Sequence, residues 1–206
     1  MTQSAPKRPL LKLAGAAALA VSLSGCITLL PKSAPADLYR FGVAPAAAEP
    51  ARPNAVGVFR AGGQFQREAA GDQILTVTGA HAAYIAGARW VTPAEVLFDE
   101  AVQNAFEAAP GRVRLVSRGE QAHADYALRL DVRNFETDYG AGGAPSVLIR
   151  IRAVLTDGAR ATVAERMFEA RAPAAENRVS AIVAAYSQAL AQALGEITAW
   201  TNSSVA

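Results

Sequence analysis

Tyr126-Ala127-Leu128-Arg129-Leu130-Asp131-Val132-Arg133 and, further on, Val147-Leu148-Ile149-Arg150-Ile151-Arg152-Ala153-Val154-Leu155 carry the pattern that decides the fold. In the first stretch Tyr126, Leu128, Leu130 and Val132 alternate with Ala127, Arg129, Asp131 and Arg133. In the second, Val147, Ile149, Ile151, Ala153 and Leu155 stand on one side, with Arg150 and Arg152 on the other. Successive side chains of a strand point to opposite faces, so a period of two predicts strands with one apolar and one wet face. Asp157-Gly158 turns the chain into a third such run, Thr162 to Arg171. Residues 125–171 therefore read as an antiparallel meander.

Outward from the meander the period changes. Val179, Ile182, Val183, Tyr186, Leu190, Leu194, Ile197 and Trp200 form one stripe of a long amphipathic helix running from Asn177 to about Trp200. Upstream, Thr92-Pro93-Ala94-Glu95 predicts a helix start, with threonine as N-cap, proline at the first helical position and glutamate closing a capping box. Phe98, Val102, Ala105, Phe106 and Ala109 give that helix its apolar face, and Pro110-Gly111 ends it. Val113 to Val116 reads as a short strand, and Ile74 to Thr78 with His81 to Ala86 as a hairpin through Gly79-Ala80. Ala55 to Ala61 and Asp37 to Val43 are further strand candidates, separated by an Ala/Pro-rich loop at 45–53. Helices fall between and after groups of strands. The fold class is therefore α/β: a mixed, largely antiparallel sheet with two main helices packed on it. With 206 residues, 51% of them hydrophobic, the chain buries one core and hardly two, so a single domain is expected.

The first residues lie outside that core. Lys7, Arg8 and Lys12 precede an apolar run of eleven, Leu13 to Leu23, which is too short to span a bilayer and reads as a signal peptide. It ends in Leu23-Ser24-Gly25-Cys26, which looks like the lipobox of bacterial lipoproteins. Cleavage is expected between Gly25 and Cys26, with a diacylglyceryl thioether and an N-acyl chain on Cys26. Cys26 is the only cysteine of an exported chain, so a disulfide has no second partner. The expected organisation is a signal peptide at 1–25, a lipidated N-terminus and linker at 26–36, and a domain at 37–203. Ile27 to Ala36 reach at most about 35 Å when extended, which keeps the domain near the membrane that holds its lipid. Ile27, where Asp would retain a lipoprotein at the inner membrane, points to the outer one.

Removing the signal also removes the bulk basicity. The whole chain has 20 Lys and Arg against 18 Asp and Glu; Lys7, Arg8 and Lys12 leave with the signal, giving 17 against 18. No charge excess is left to attract nucleic acid.

Chemistry-bearing constellations are sparse. The two histidines, His81 and His123, offer no H-x-x-x-H or C-x-x-C spacing, so no metal site and no cofactor beyond the lipid are expected. No serine sits in G-x-S-x-G, and Ser117, His123 and Asp125 make only a loose cluster without an oxyanion-hole motif. Glu95 and Asp99 lie one turn apart, but capping and the helix dipole account for acids there. Gly140-Ala141-Gly142-Gly143 leads into a strand, so no helix N-terminus stands ready for phosphate. Arg129, Arg133, Arg150 and Arg152 share a sheet face that suits an anionic headgroup or an acidic partner, or stands as a solvated face balanced by Asp131. Trp90, Phe98 and Trp200 read as core. The residues point to a binding or assembly protein, not to an enzyme.

An ordered set of pieces resembles the ABC-type transport auxiliary lipoprotein family. The pieces are the lipobox, Leu38-Tyr39-Arg40-Phe41-Gly42, Ala83-Tyr84-Ile85-Ala86-Gly87-Ala88-Arg89-Trp90 before a helix, Ala124 to Leu128 leading to Asn134-Phe135-Glu136, Arg166 to Ala170, and Glu196-Ile197-Thr198-Ala199-Trp200. The resemblance spans nearly the whole chain after the signal. It implies a three-layer-like α/β domain and a non-enzymatic lipoprotein at the periplasmic face, outer membrane included. It also implies an ABC transporter partner carrying a mammalian-cell-entry (MCE) type substrate-binding protein, and a homo-oligomer in some members. Two alternatives stand beside it: a stand-alone lipid carrier with its own apolar cavity, and a tethered envelope hydrolase using Ser117, His123 and Asp125.

Overall fold

The computed structural model describes residues 35–44, 55–117, 119–140 and 144–205. Among them the elements run β1 (Asp37–Tyr39), β2 (Val56–Ala61), β3 (Gln73–Thr78), β4 (His81–Trp90), α1 (Ala94–Ala108), β5 (Val113–Val116), β6 (Tyr126–Asp138), β7 (Ser146–Asp157), β8 (Thr162–Pro173) and α2 (Val179–Ser204). The predicted meander is β6, β7 and β8. Antiparallel pairing runs along the whole of β6 and β7, from Tyr126 opposite Asp157 to Asp138 opposite Ser146, and on to β8.

The other edge of β6 is shared between two branches. Its first half pairs in parallel with β2, which in turn pairs in parallel with β5. Its far end pairs in parallel with β3 through Thr76 and Val77, and β3 leads to antiparallel β4 and parallel β1. The sheet therefore forks halfway along β6. At the fork Val132 opposes Ile151 and Asn134 opposes Arg150, so Arg133 is the extra residue of a β-bulge, which bends the strand where the branches part. Long antiparallel ladders and short parallel ones together make the mixed sheet.

Both helices lie on one face. Helix α1 turns Leu97, Phe98, Ala101, Val102, Ala105 and Phe106 inward, and α2 turns in Ile182, Tyr186, Ala189, Leu190, Leu194 and Ile197. Leu128, Leu130, Ile149, Ile151 and Phe168 meet them from the sheet. An aromatic cluster ties the branches together. The ring of Phe135 on β6 lies 5.0 Å from Phe41, 5.3 Å from Phe65 and 4.9 Å from Tyr186, and Phe65 lies 5.7 Å from Phe98. The Tyr186 hydroxyl, fully buried, accepts a hydrogen bond from Thr137 Oγ1 at 3.3 Å, and burial pushes its ionisation well above that of free tyrosine. Trp90 and Phe98 are core as read, while Trp200 is half-buried with its ring edge on Phe168.

Four expectations are corrected. The described elements make two layers and not a three-layer-like stack, because the outer face of β6, β7 and β8 is a lattice of ion pairs with no described helix over it. The capping box does not form: α1 has no side-chain cap, and its first N–H groups go to the carbonyls of Gly71 and Ala70 at 2.9 and 3.3 Å. A neighbouring turn satisfies the donors that Thr92 was expected to meet. Strand β4 runs on to Trp90, past Ala86, because Gly87 adopts a φ of 70° that absorbs a register shift against β3. Helix α2 continues past Trp200 to Ser204, since Asn202 Oδ1 accepts the Val113 N–H of β5 at 3.1 Å and fixes the polar last turn.

Candidate functional site

Gly25, Cys26 and the linker up to residue 34 lie outside the described residues. Within the described domain, the fork of β6 is the place where concave surface and charge meet. The chain leaving β2 runs along the gap between the branches, with Val132 N–H donating to the Gln64 carbonyl at 2.8 Å and Phe65 bridging to Val132. Gln66 completes the seam: its side-chain oxygen accepts the Phe135 N–H at 2.7 Å and its amide donates to Glu136 at 2.9 Å. Backbone groups that the fork would otherwise orphan are thus met by two glutamines.

A concavity lies on each side of this seam. On the helix side a cleft of about 430 Å³ is lined by Phe65, Phe98, Leu130 and Val132, with Arg60, Glu95 and Asp99 at its rim. The Arg60 guanidinium donates to Asp99 at 3.0 Å and to the Ala61 carbonyl, while its Nε is buried without a partner among the described residues. Burial lowers the ionisation of Arg60, with Asp99 pulling the other way. Asp99 is therefore the ion-pair partner of Arg60.

On the outer side, a concavity of about 360 Å³ is lined by Gly62, Gly63, Gln64, Arg129, Asp131, Arg133 and Arg152. The Asp131 side chain is only 5% exposed. Its Oδ1 accepts the Gln64 N–H at 3.1 Å, and its Oδ2 faces Arg152 at 3.4 Å, Arg129 at 3.5 Å and Arg133 at 3.7 Å. Of the four arginines read on this face, three converge on one carboxylate; the fourth, Arg150, pairs with Glu169 instead. The sequence reading had Asp131 as a balancing charge but missed Gln64 and Gln66. The alternating pattern gives no sign of a side chain that serves a strand seventy residues away.

The Ser117, His123 and Asp125 cluster does not assemble. His123 Nε2 meets Asp125 at 3.0 Å, but the Ser117 hydroxyl bonds to Gln103 at 3.3 Å and its N–H to Glu120. Among the described residues no group of three or more His, Cys, Asp or Glu could hold a metal ion, and no helix is long and apolar enough to cross a membrane.

Across β6, β7 and β8 the outer face carries a ladder of ion pairs. Arg152 forks onto Glu165 at 2.6 and 2.8 Å, Arg150 meets Glu169, and Arg171 meets Asp138 at 3.1 Å. The hydrogen bond from Arg152 holds Glu165 below the usual carboxylate range, as Arg150 does for Glu169; Asp138 is lowered first by the Gly140 N–H and then by Arg171. A carboxylate depressed in the folded state stabilises it above the unfolded ionisation range, and that contribution is lost as pH falls through the folded one. The thermal midpoint of the domain is therefore expected to hold from about pH 7 to about pH 5 and to fall below about pH 4. Replacing Arg150 and Arg152 by glutamine should flatten that acid arm, and an unchanged arm in a pH series of melting curves would show that the ladder is not its cause.

Comparison with known proteins places this architecture. The domain is similar to a protein from Xanthomonas campestris, with 28% identity and a TM-score of 0.70, over 82% of this chain and 96% of that one. That protein is described as a member of the DUF330 family. It is also similar in fold to a hypothetical protein from Chlamydia trachomatis, at 10% identity and a TM-score of 0.50, over 72% of this chain and 96% of that one. No curated protein matches the chain in sequence. Residues 65–198, from the seam of the fork to the last turns of α2, match the family described as ABC-type transport auxiliary lipoprotein component. That match is narrower than the span of the sequence resemblance, yet it covers more than half of the chain, and the protein belongs to the ABC-type transport auxiliary lipoprotein family.

Proposed function

We propose that the protein is lipidated on Cys26, held at the periplasmic face of the outer membrane, and docks the MCE-type substrate-binding protein of an ABC transporter that moves lipid between the two membranes. The observation that carries this reading is the family match over residues 65–198, which makes the chain a transport auxiliary component. The lipobox adds the anchor: Leu23-Ser24-Gly25-Cys26 supplies small residues before the sole cysteine. A domain on a leash of about ten residues reaches about 35 Å from its membrane and needs a partner to bridge the remaining gap. Its own role is to hold a conduit in place and involves no bond chemistry, in keeping with the Ser117 hydroxyl being bonded to Gln103 and not to His123, whose partner is Asp125. Copies of the chain can assemble around that conduit.

The test is a mild-detergent purification of the tagged full-length protein from its native envelope, with co-purifying proteins identified by mass spectrometry. Recovery of an MCE-type subunit together with its ATPase is the expected result. Their absence from a preparation that keeps other envelope complexes intact would overturn the docking role and leave a lone carrier as the better account.

A further inference from the structure

We propose that the outer concavity at the fork is an oxyanion site that takes a phosphate group. The reasons are chemical and lie in how its three arginines are used. Arg152 is spent on Glu165, with two short hydrogen bonds. Among the described residues the ion-pair contact of Arg129 and of Arg133 is the shared Asp131 oxygen, at 3.5 and 3.7 Å, beyond the range of a good N–H···O bond, with Glu165 a more distant charge for Arg129. Each guanidinium carries five donors in a planar fork, so most of the donors on Arg129 and Arg133, which line the pocket, have no hydrogen-bond partner among the described residues. Their side chains are 47% and 45% exposed, open to an incoming ligand.

The charge count agrees. Three guanidinium groups face two carboxylates, Asp131 and Glu165, leaving a surplus of one positive charge in a concave, polar space. Asp131 is too buried to be replaced by solvent and is itself fixed by the Gln64 N–H, so it serves as the post that gathers the arginines. Arg129 and Arg133 flank Asp131 on one face of β6 and Arg152 stands opposite Asp131 on β7, so strand period and register bring all three to the same oxygen. Gly62 and Gly63 leave the opposite wall free of side chains. A volume of about 360 Å³ accommodates a tetrahedral oxyanion with room for its substituent. Paired arginine forks favour phosphate because its oxygens accept two parallel N–H bonds from each. A phospholipid headgroup and free phosphate share that chemistry.

The experiment uses the full-length protein in nonionic detergent at constant ionic strength. Isothermal titration is run with inorganic phosphate, with a short-chain phosphatidylglycerol, and with the corresponding short-chain diacylglycerol as the uncharged control. Saturable binding of phosphate is expected, weakened at least about tenfold in the Arg129→Gln, Arg133→Gln double variant. The Arg129→Lys, Arg133→Lys variant keeps the charge without the fork and should fall between the two; it also serves if the glutamine pair fails to fold. Phosphatidylglycerol binding with the same sensitivity identifies a lipid headgroup as the source, whereas binding of inorganic phosphate alone identifies the free ion. No saturable binding of either, affinity unchanged by both double variants, or equal binding of diacylglycerol would overturn the site.

Discussion

Replacing Cys26 by alanine behind a cleavable signal without a lipobox is expected to move the protein from the membrane pellet to the soluble periplasmic fraction. The argument starts from the transfer energy of hydrocarbon. Each buried CH₂ contributes about 0.8 kcal/mol, and a single myristoyl chain already binds a bilayer reversibly, with an association constant near ~10⁴ M⁻¹. Three chains on one cysteine multiply that to an anchor that does not dissociate on a cellular timescale. Among the described residues no helix is long and apolar enough to cross a membrane. On the proposed lipidation the lipid would supply nearly all membrane affinity, and its loss should be close to all-or-none in fractionation, with intact mass lacking the acyl and glyceryl additions. A variant that stays in the outer-membrane pellet would show that another element or a partner holds the domain there.

The meander was legible because its signal is local. Leu128, Leu130 and Val132 alternate with charged residues, and each position's face follows from its number along the strand. Helix α2 was legible for the same reason, with its stripe repeating every turn. The fork was not. Whether β6 has one neighbour or two along an edge depends on pairings such as Val58 with Tyr126 and Thr76 with Thr137, which join segments whose own patterns look alike. The seam of Gly62 to Gln66 carries neither an alternating nor a helical apolar pattern in the sequence, so nothing local marks it as part of the sheet. Its Gln64 and Gln66 cap backbone donors of a strand far along the chain. The capping box failed in the opposite sense. The local signal at Thr92 was present, but the turn at Ala70 and Gly71 reaches the same N–H groups first. At the outer site the shared face of Arg129, Asp131 and Arg133 was legible from the alternation, whereas the register that sets Arg152 opposite Asp131 and the Gln64 N–H that fixes the carboxylate were not. The anchor stands apart, since Cys26 lies outside the described residues and its lipidation rests on the sequence motif alone.

Gly63 is where the fork should prove least tolerant. A Cβ placed on Gly63 would sit 1.8 Å from the Leu130 carbonyl oxygen and 2.7 Å from its carbon. Both are backbone atoms of β6, held by the ladder to β7, so neither can rotate away as a side-chain tip would. Nothing about the backbone conformation at Gly63 demands glycine; the constraint is space alone. Gly63→Ala must push the seam off the strand, and with it go the Val132 to Gln64 bond, the Gln64 to Asp131 bond and the two bonds of Gln66. Each such bond contributes about 1 kcal/mol net, and buried donors left unmet cost more. A loss of at least about 4 kcal/mol is expected, in the range that marks a broken structural feature. Gly71→Ala is the internal control: a Cβ there meets nothing within 4 Å, so its unfolding midpoint should shift by less than about 0.5 kcal/mol equivalent. Urea unfolding of the two variants decides the matter. Equal, small shifts would show that the seam relaxes away from β6 at little cost, and that the fork is softer than its hydrogen bonds imply.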